Sequence, residues 1–195
     1  MITQMQNDIL DTAQAMAQSR GFNGFSFRDL AAAVGIKPAS IHYYFPTKGE
    51  LGAALASRYT GRLVEILGDP SDGRLDALMA RYIAVFRATL QDDGRMCLCG
   101  LMAAELDALP EAMQTEVARF VEANVSWVAA VLRAGTGLAD GVEVRARARA
   151  IFAALEGAML VARGSRDVAA FDAMVEVFTA SGLIPNAKRV SEGQF

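Results

Sequence analysis

Residues 24–51 read GFSFRDLAAAVGIKPASIHYYFPTKGEL, and their spacing predicts a helix, a tight turn and a second, shorter helix. Ser26 can cap the first helix, with Asp29 three residues on closing a capping box. Leu30, Ala31 and Val34 then line one apolar face at helical spacing. Gly35 falls where this helix must stop, at a left-handed position that glycine adopts at little cost. Pro38 suits the first turn of the next helix, where its missing N–H would be unpaired anyway. Ile41 and Phe45, four apart, can bury against the first helix. Ala39, Ser40, His42 and Tyr43 are left facing outward, with Tyr44 toward an edge. Pro46 ends the second helix, and Thr47 with Glu50 is positioned to cap a third. A short helix that shows hydrogen-bonding side chains to solvent, joined to its predecessor by a glycine turn, is the arrangement with which proteins read DNA.

The stretch resembles the DNA-binding domain of the TetR family of bacterial transcriptional regulators. Several features carry the resemblance: the Gly21-Phe22 opening, the Ser26…Asp29-Leu30-Ala31 helix, the Gly35-Ile36 turn and the run Ile41-His42-Tyr43-Tyr44-Phe45-Pro46-Thr47-Lys48. Two positions depart from the common pattern: His42 stands where tyrosine is most frequent, and Gly49 where an acid is common. The outward face of the second helix suggests Lys37, Ser40, His42 and Tyr43 for base edges and phosphates. The resemblance adds Tyr44 and Lys48 on the phosphate backbone and Arg28 from the preceding helix. Ser26 and Ala39 complete the expected interface.

Length and composition fit a soluble helical protein. With 195 residues, 53% of them hydrophobic, the chain can bury a substantial core as one large domain or two small ones. Ala, Leu, Met, Glu and Arg fill long helical patterns, so the expected class is all-α, with about nine helices. A three-helix head over residues 1–47 would be followed by a helical ligand-binding and dimerisation domain over 48–195. No apolar run reaches the ~18 residues of a membrane span. The opening MITQMQNDILDTAQ lacks the basic region of a secretory signal, so a cytoplasmic location without membrane attachment is expected.

The net charge of −3 offers no general attraction to nucleic acid. Residues 1–50 hold Arg20, Arg28, Lys37 and Lys48 against Asp8, Asp11, Asp29 and Glu50, so any DNA binding must rest on local placement. Arg28, Lys37 and Lys48 sit beside two helix N-termini, which themselves attract phosphate.

The body reads as further helices from about Thr47 to Leu67, Arg74 to Gln91, Cys97 to Leu106, Pro110 to Ala134, Val142 to Arg163 and Asp167 to Ser181. The tail from Pro185 has little to bury and is expected to be loose. The helix at 142–163 is apolar around most of its circumference and therefore needs cover on more than one side. With the last helix it resembles the two-helix element through which the family forms homodimers. Phe152, Gly157, Ala158, Phe171, Met174, Val175 and Phe178 are the interface residues so implied. Tyr82, Phe86, Met102, Phe120, Trp127 and Met159 are candidates for a pocket holding a small apolar or amphipathic effector, since clefts between bundle helices are common ligand sites. Plain core is the competing reading for each.

His42 is the only histidine. That count argues against a metal site and against Ser-His-Asp or Cys-His catalysis, and no phosphate-binding glycine loop occurs. Neither an enzyme nor a cofactor is expected. Cys97 and Cys99, two apart on an expected helix, point to opposite sides and read as buried packing residues. The implied function is a ligand-responsive, homodimeric DNA-binding regulator, a repressor released from a near-palindromic operator by a small molecule. The alternatives are a thiol-based electrophile or redox sensor acting through Cys97, and a helical small-molecule binder that does not bind DNA.

Overall fold

The computed structural model describes residues 3–136 and 141–185; the expected loose tail lies outside them, apart from Pro185. Nine α-helices and no strand occur among the described residues, the all-α class expected. They are α1 (Gln4–Arg20), α2 (Phe27–Val34), α3 (Pro38–Tyr44), α4 (Lys48–Leu67), α5 (Leu75–Gln91), α6 (Leu98–Ala104), α7 (Glu111–Thr136), α8 (Val142–Ser165) and α9 (Val168–Ala180). Short 3-10 turns cover Phe22–Gly24 and Leu106–Ala108. No helix among the described residues is long and apolar enough to cross a membrane.

Two compact units emerge, Met1–Arg62 with Arg95–Phe120, and Leu63–Gly94 with Val121–Phe195. Helices α4 and α7 each contribute residues to both.

In the first unit, α1 starts at a full capping box, with the Thr3 side chain accepting from the Gln6 amide and Gln6 reaching back to the Thr3 backbone. Its inner face, Ile9, Leu10, Ala13 and Ala17, is buried with Leu30, Ile41, Leu51 and Leu55. Gln18 is also buried, and its amide donates to the Met96 carbonyl at 2.8 Å. This bond ties α1 to the segment before α6 and satisfies an amide that would otherwise be costly to bury. Asp11 pairs with Arg58 at 2.9 Å and Arg62 at 3.2 Å, linking α1 to α4. A cavity of about 390 Å³ in this unit is lined by Gln6, Leu10, Phe45, Ala54, Ser57 and Arg58.

Helix α6 is shorter than its sequence suggested. Cys97 precedes it as N-cap, its sulfur accepting from the Gly100 amide at 3.4 Å, so the two cysteines do not share a helix. Both are buried and neither forms a disulfide.

The second unit packs α5, α8 and α9 against one another. Tyr82, Leu90, Val128, Leu132, Ile151, Leu155, Met159 and Phe171 form its core. Two hydrogen bonds tie elements together across it: the Tyr82 hydroxyl donates to Asn124 Oδ1 at 2.9 Å, and the Trp127 indole N–H donates to the Gly68 carbonyl at 2.8 Å. Arg87 holds Asp172 through two bonds of 2.8 and 2.9 Å, pinning α5 to α9.

Candidate nucleic-acid interface

The local chemistry of residues 24–51 works as their sequence implies. The Ser26 hydroxyl accepts from the Asp29 amide at 3.2 Å and donates to the Asp29 carboxylate at 2.7 Å, completing the capping box of α2. Bonds from Ser26 hold the Asp29 carboxyl below the usual aspartate range. Gly35 closes α2 in the left-handed conformation, φ 80° and ψ 29°, and the Gly35 and Ile36 amides both bond to the Ala31 carbonyl. Only a residue without Cβ takes that conformation freely. Lys37 is the N-cap of α3 and Pro38 its first residue. At the far end Pro46 pushes Phe45 into extended backbone, φ −136° and ψ 93°, and the helix stops. Thr47 caps α4 by accepting from the Glu50 amide at 3.1 Å.

One side of α3 is locked inward, with Ile41 and Phe45 buried. The other side is open. Tyr43 is 81% exposed, its ring edge-on to that of half-buried Tyr44 with centroids 5.0 Å apart. Ala39 and His42 are exposed, and Ser40 is half-buried. Arg28 and Lys37 are exposed beside the starts of α2 and α3. The result is a short helix that presents two aromatic rings and an imidazole beside two cations and two helix N-termini. Such a surface suits an anionic, flat-faced polymer better than solvent.

His42 is more constrained than its exposure suggests. Its ring packs edge-on to Phe27 of α2, with centroids 4.8 Å apart, and its Nδ1 lies 3.2 Å from the Pro46 carbonyl. Neither support was evident beforehand, although Phe27 on an exposed first turn was a usable signal.

Two residues expected at this interface already serve the head itself. The Ser26 hydroxyl is occupied by the cap. The Lys48 ammonium donates to the Phe25 carbonyl and lies 4.9 and 4.6 Å from the ring centroids of Phe22 and Phe25. Partial burial there lowers the Lys48 pKa, opposed by the nearby Glu105 and Asp29 carboxylates.

The expected pocket residues divide between the two units. Tyr82 lies against Phe86 and is stacked on Trp127, at 5.1 and 5.6 Å between centroids, and Met159 is buried in the same unit. Met102 and Phe120 belong to the other unit, where Phe120 packs against Tyr59.

The residues expected at a dimer interface differ in burial. Ala158 and Phe171 are buried within the single chain, so they serve its own core. Phe152, Met174, Val175 and Phe178 are half-buried and Gly157 is exposed. The large apolar side chains left open on α8 and α9 are Leu160 at 64%, Val161 at 55% and Val177 at 63%, with Val142 at the start of α8. A helix that is apolar all round does not show in its sequence which side its own subunit covers, so these side chains are not marked out there.

Residues 9–55 match the model of the family described as bacterial regulatory proteins, tetR family. A TetR transcriptional regulator from Legionella pneumophila is 32% identical, with a TM-score of 0.82 over 89% of this chain and 94% of that one. A TetR family regulator from Agrobacterium tumefaciens is also 32% identical, with a TM-score of 0.76 over 89% and 95% of the two chains. Among curated proteins, the HTH-type transcriptional repressor DhaR of Mycobacterium sp. (strain GP1) is 23% identical over 127 residues, 65% of this chain. That match spans 63% of the repressor's length. On this likeness in sequence and fold, the chain belongs to the TetR family of bacterial transcriptional regulators.

Proposed function

We propose that the chain is a cytoplasmic, non-enzymatic repressor that binds a near-palindromic operator as a homodimer and leaves it when a small apolar or amphipathic molecule binds. The DNA-reading head is residues 1–47, and the ligand-binding and dimerisation domain follows from 48. The observation that carries the reading is the outward face of α3, where Tyr43 and His42 stand exposed on a helix whose opposite side is buried. Arg28, Lys37, Ala39, Ser40 and Tyr44 surround them, and Ser26 and Lys48 keep the head in shape.

Dimerisation falls to α8 and α9. Leu160, Val161 and Gly164 lie three, four and seven residues after Gly157, so the four share a face of α8. The glycines leave open space where a Cβ would stand, which favours close approach of a partner helix. Val177, Met174 and Phe178 extend the apolar surface on α9. For the effector, Tyr82, Phe86, Trp127 and Met159 supply an apolar wall and Asn124 a polar group. Burial of both thiols favours this reading over redox sensing, because reactive cysteines need access.

Binding to operator fragments tests the DNA reading. Tyr43→Ala or His42→Ala is expected to weaken binding by roughly 1–3 kcal/mol with fold and assembly intact. A folded, dimeric His42/Tyr43 double-alanine protein that binds as tightly as wild type would refute it.

A further inference from the structure

His42 carries information that its position alone does not. Its Nδ1 lies 3.2 Å from the Pro46 carbonyl oxygen, and a carbonyl can only accept a hydrogen bond. Nδ1 must therefore be the donor. In a neutral imidazole one nitrogen donates and the other accepts, so Nε2 is left with a lone pair. Nothing among the described residues occupies it, while the edge contact with Phe27 restrains the ring at 4.8 Å. The Pro46 carbonyl is available because Phe45-Pro46 is where α3 must end: proline cannot continue the helix, and the chain turns beneath the imidazole four residues after it.

From this we infer that Pro46 fixes His42 as a hydrogen-bond acceptor toward DNA, so that it selects cytosine or adenine in the major groove. Those two bases present an exocyclic amino donor there, at N4 and N6, whereas guanine and thymine present acceptors at O6 and O4. The inference rests on the DNA reading of α3 proposed above and assigns the base class that one residue recognises. A tyrosine at this position, with a freely rotating hydroxyl, could donate or accept. The imidazole tied to Pro46 removes that choice.

Two measurements on the full-length protein test it. The chain has a single histidine, so a long-range ¹H–¹⁵N correlation spectrum of the free protein reports this imidazole alone. At about pH 8 the protonated nitrogen is expected to be Nδ1. Observation of the Nε2–H form would overturn the inference whatever the protein does with DNA. The second measurement is selection from randomised duplexes at the same pH. Wild type is expected to enrich cytosine or adenine at one position of each half-site. His42→Phe, which keeps the ring against Phe27, should lose about tenfold of that preference. His42→Lys, a donor only, should turn it toward guanine or thymine. Enrichment of guanine by wild type at the position that His42→Phe relaxes, or no altered position in either variant, would overturn the assignment. If wild type enriches no sequence at all, the DNA reading itself fails, and the spectrum still decides the tautomer.

Discussion

Replacing Lys48 with methionine separates a brace from a phosphate contact. The ammonium is 4.9 Å from the Phe22 centroid and 4.6 Å from that of Phe25, and it donates to the Phe25 carbonyl. A partly desolvated cation over a ring is worth about 1 kcal/mol, and a hydrogen bond from a charged donor roughly 1.5 kcal/mol. All three contacts share one ammonium and do not add fully. Methionine also keeps some contact with both rings, so the net loss is about 2 kcal/mol. For a chain of this length that lowers Tm by about 4–8 °C, measurable by differential scanning calorimetry without DNA. Loss of the same interaction should appear as coupling when Lys48→Met is combined with Phe22→Leu. The salt dependence of operator binding should keep its slope, because a brace neutralises no phosphate. An unchanged Tm together with a slope reduced by about one would show that Lys48 acts on DNA and not on the head.

Further outcomes follow from other parts of the structure. A Cβ on Gly52 would stand 2.7 Å from Phe22 Cζ and closer still to the end of Met113. Gly52→Ala should therefore destabilise by about 1–2 kcal/mol despite its better helix propensity, as read by urea denaturation. Leu160→Asp or Val177→Asp should give a smaller species by sedimentation velocity with the helical content of wild type. Ala158→Glu, buried in its own subunit, should instead unfold the chain, and a folded monomer from it would move Ala158 to the interface. Asp172 is held below the ordinary aspartate value of 3.8 by its bonds from Arg87. A depressed carboxyl pKa contributes stability that is fully present above the ordinary value and lost as pH falls through the depressed one. The Tm difference between wild type and Asp172→Asn should thus hold at neutral pH and vanish in acid below that value; a gap that widens on acidification would contradict the pairing.

Features set by neighbouring residues were legible in the chain itself. The Ser26–Asp29 cap, the left-handed Gly35, Pro38 at the start of α3 and Pro46 at its end are each decided within a few residues, so local chemistry suffices to read them. Contacts made across the fold were not. Lys48 looks like any cation at a helix start until the 3-10 turn at Phe22–Gly24 brings two rings and a carbonyl to it. The Trp127 indole finds the Gly68 carbonyl 59 residues away, and nothing in the pattern of α7 specifies that partner. On α8 and α9 the difficulty is one of allocation. Ala158, Phe171, Leu160 and Val177 are all apolar at helical spacing, and only packing separates the first two, which are buried, from the last two, which are exposed.

Footprinting of the purified protein on DNA from the region around its own gene is the most direct test of the DNA reading. The expected result is a protected, near-palindromic site whose half-sites lie about one helical turn, or a multiple of it, apart, and whose protection disappears with Tyr43→Ala. No protected site at moderate salt, or the same protection from the His42/Tyr43 double-alanine protein, would contradict it.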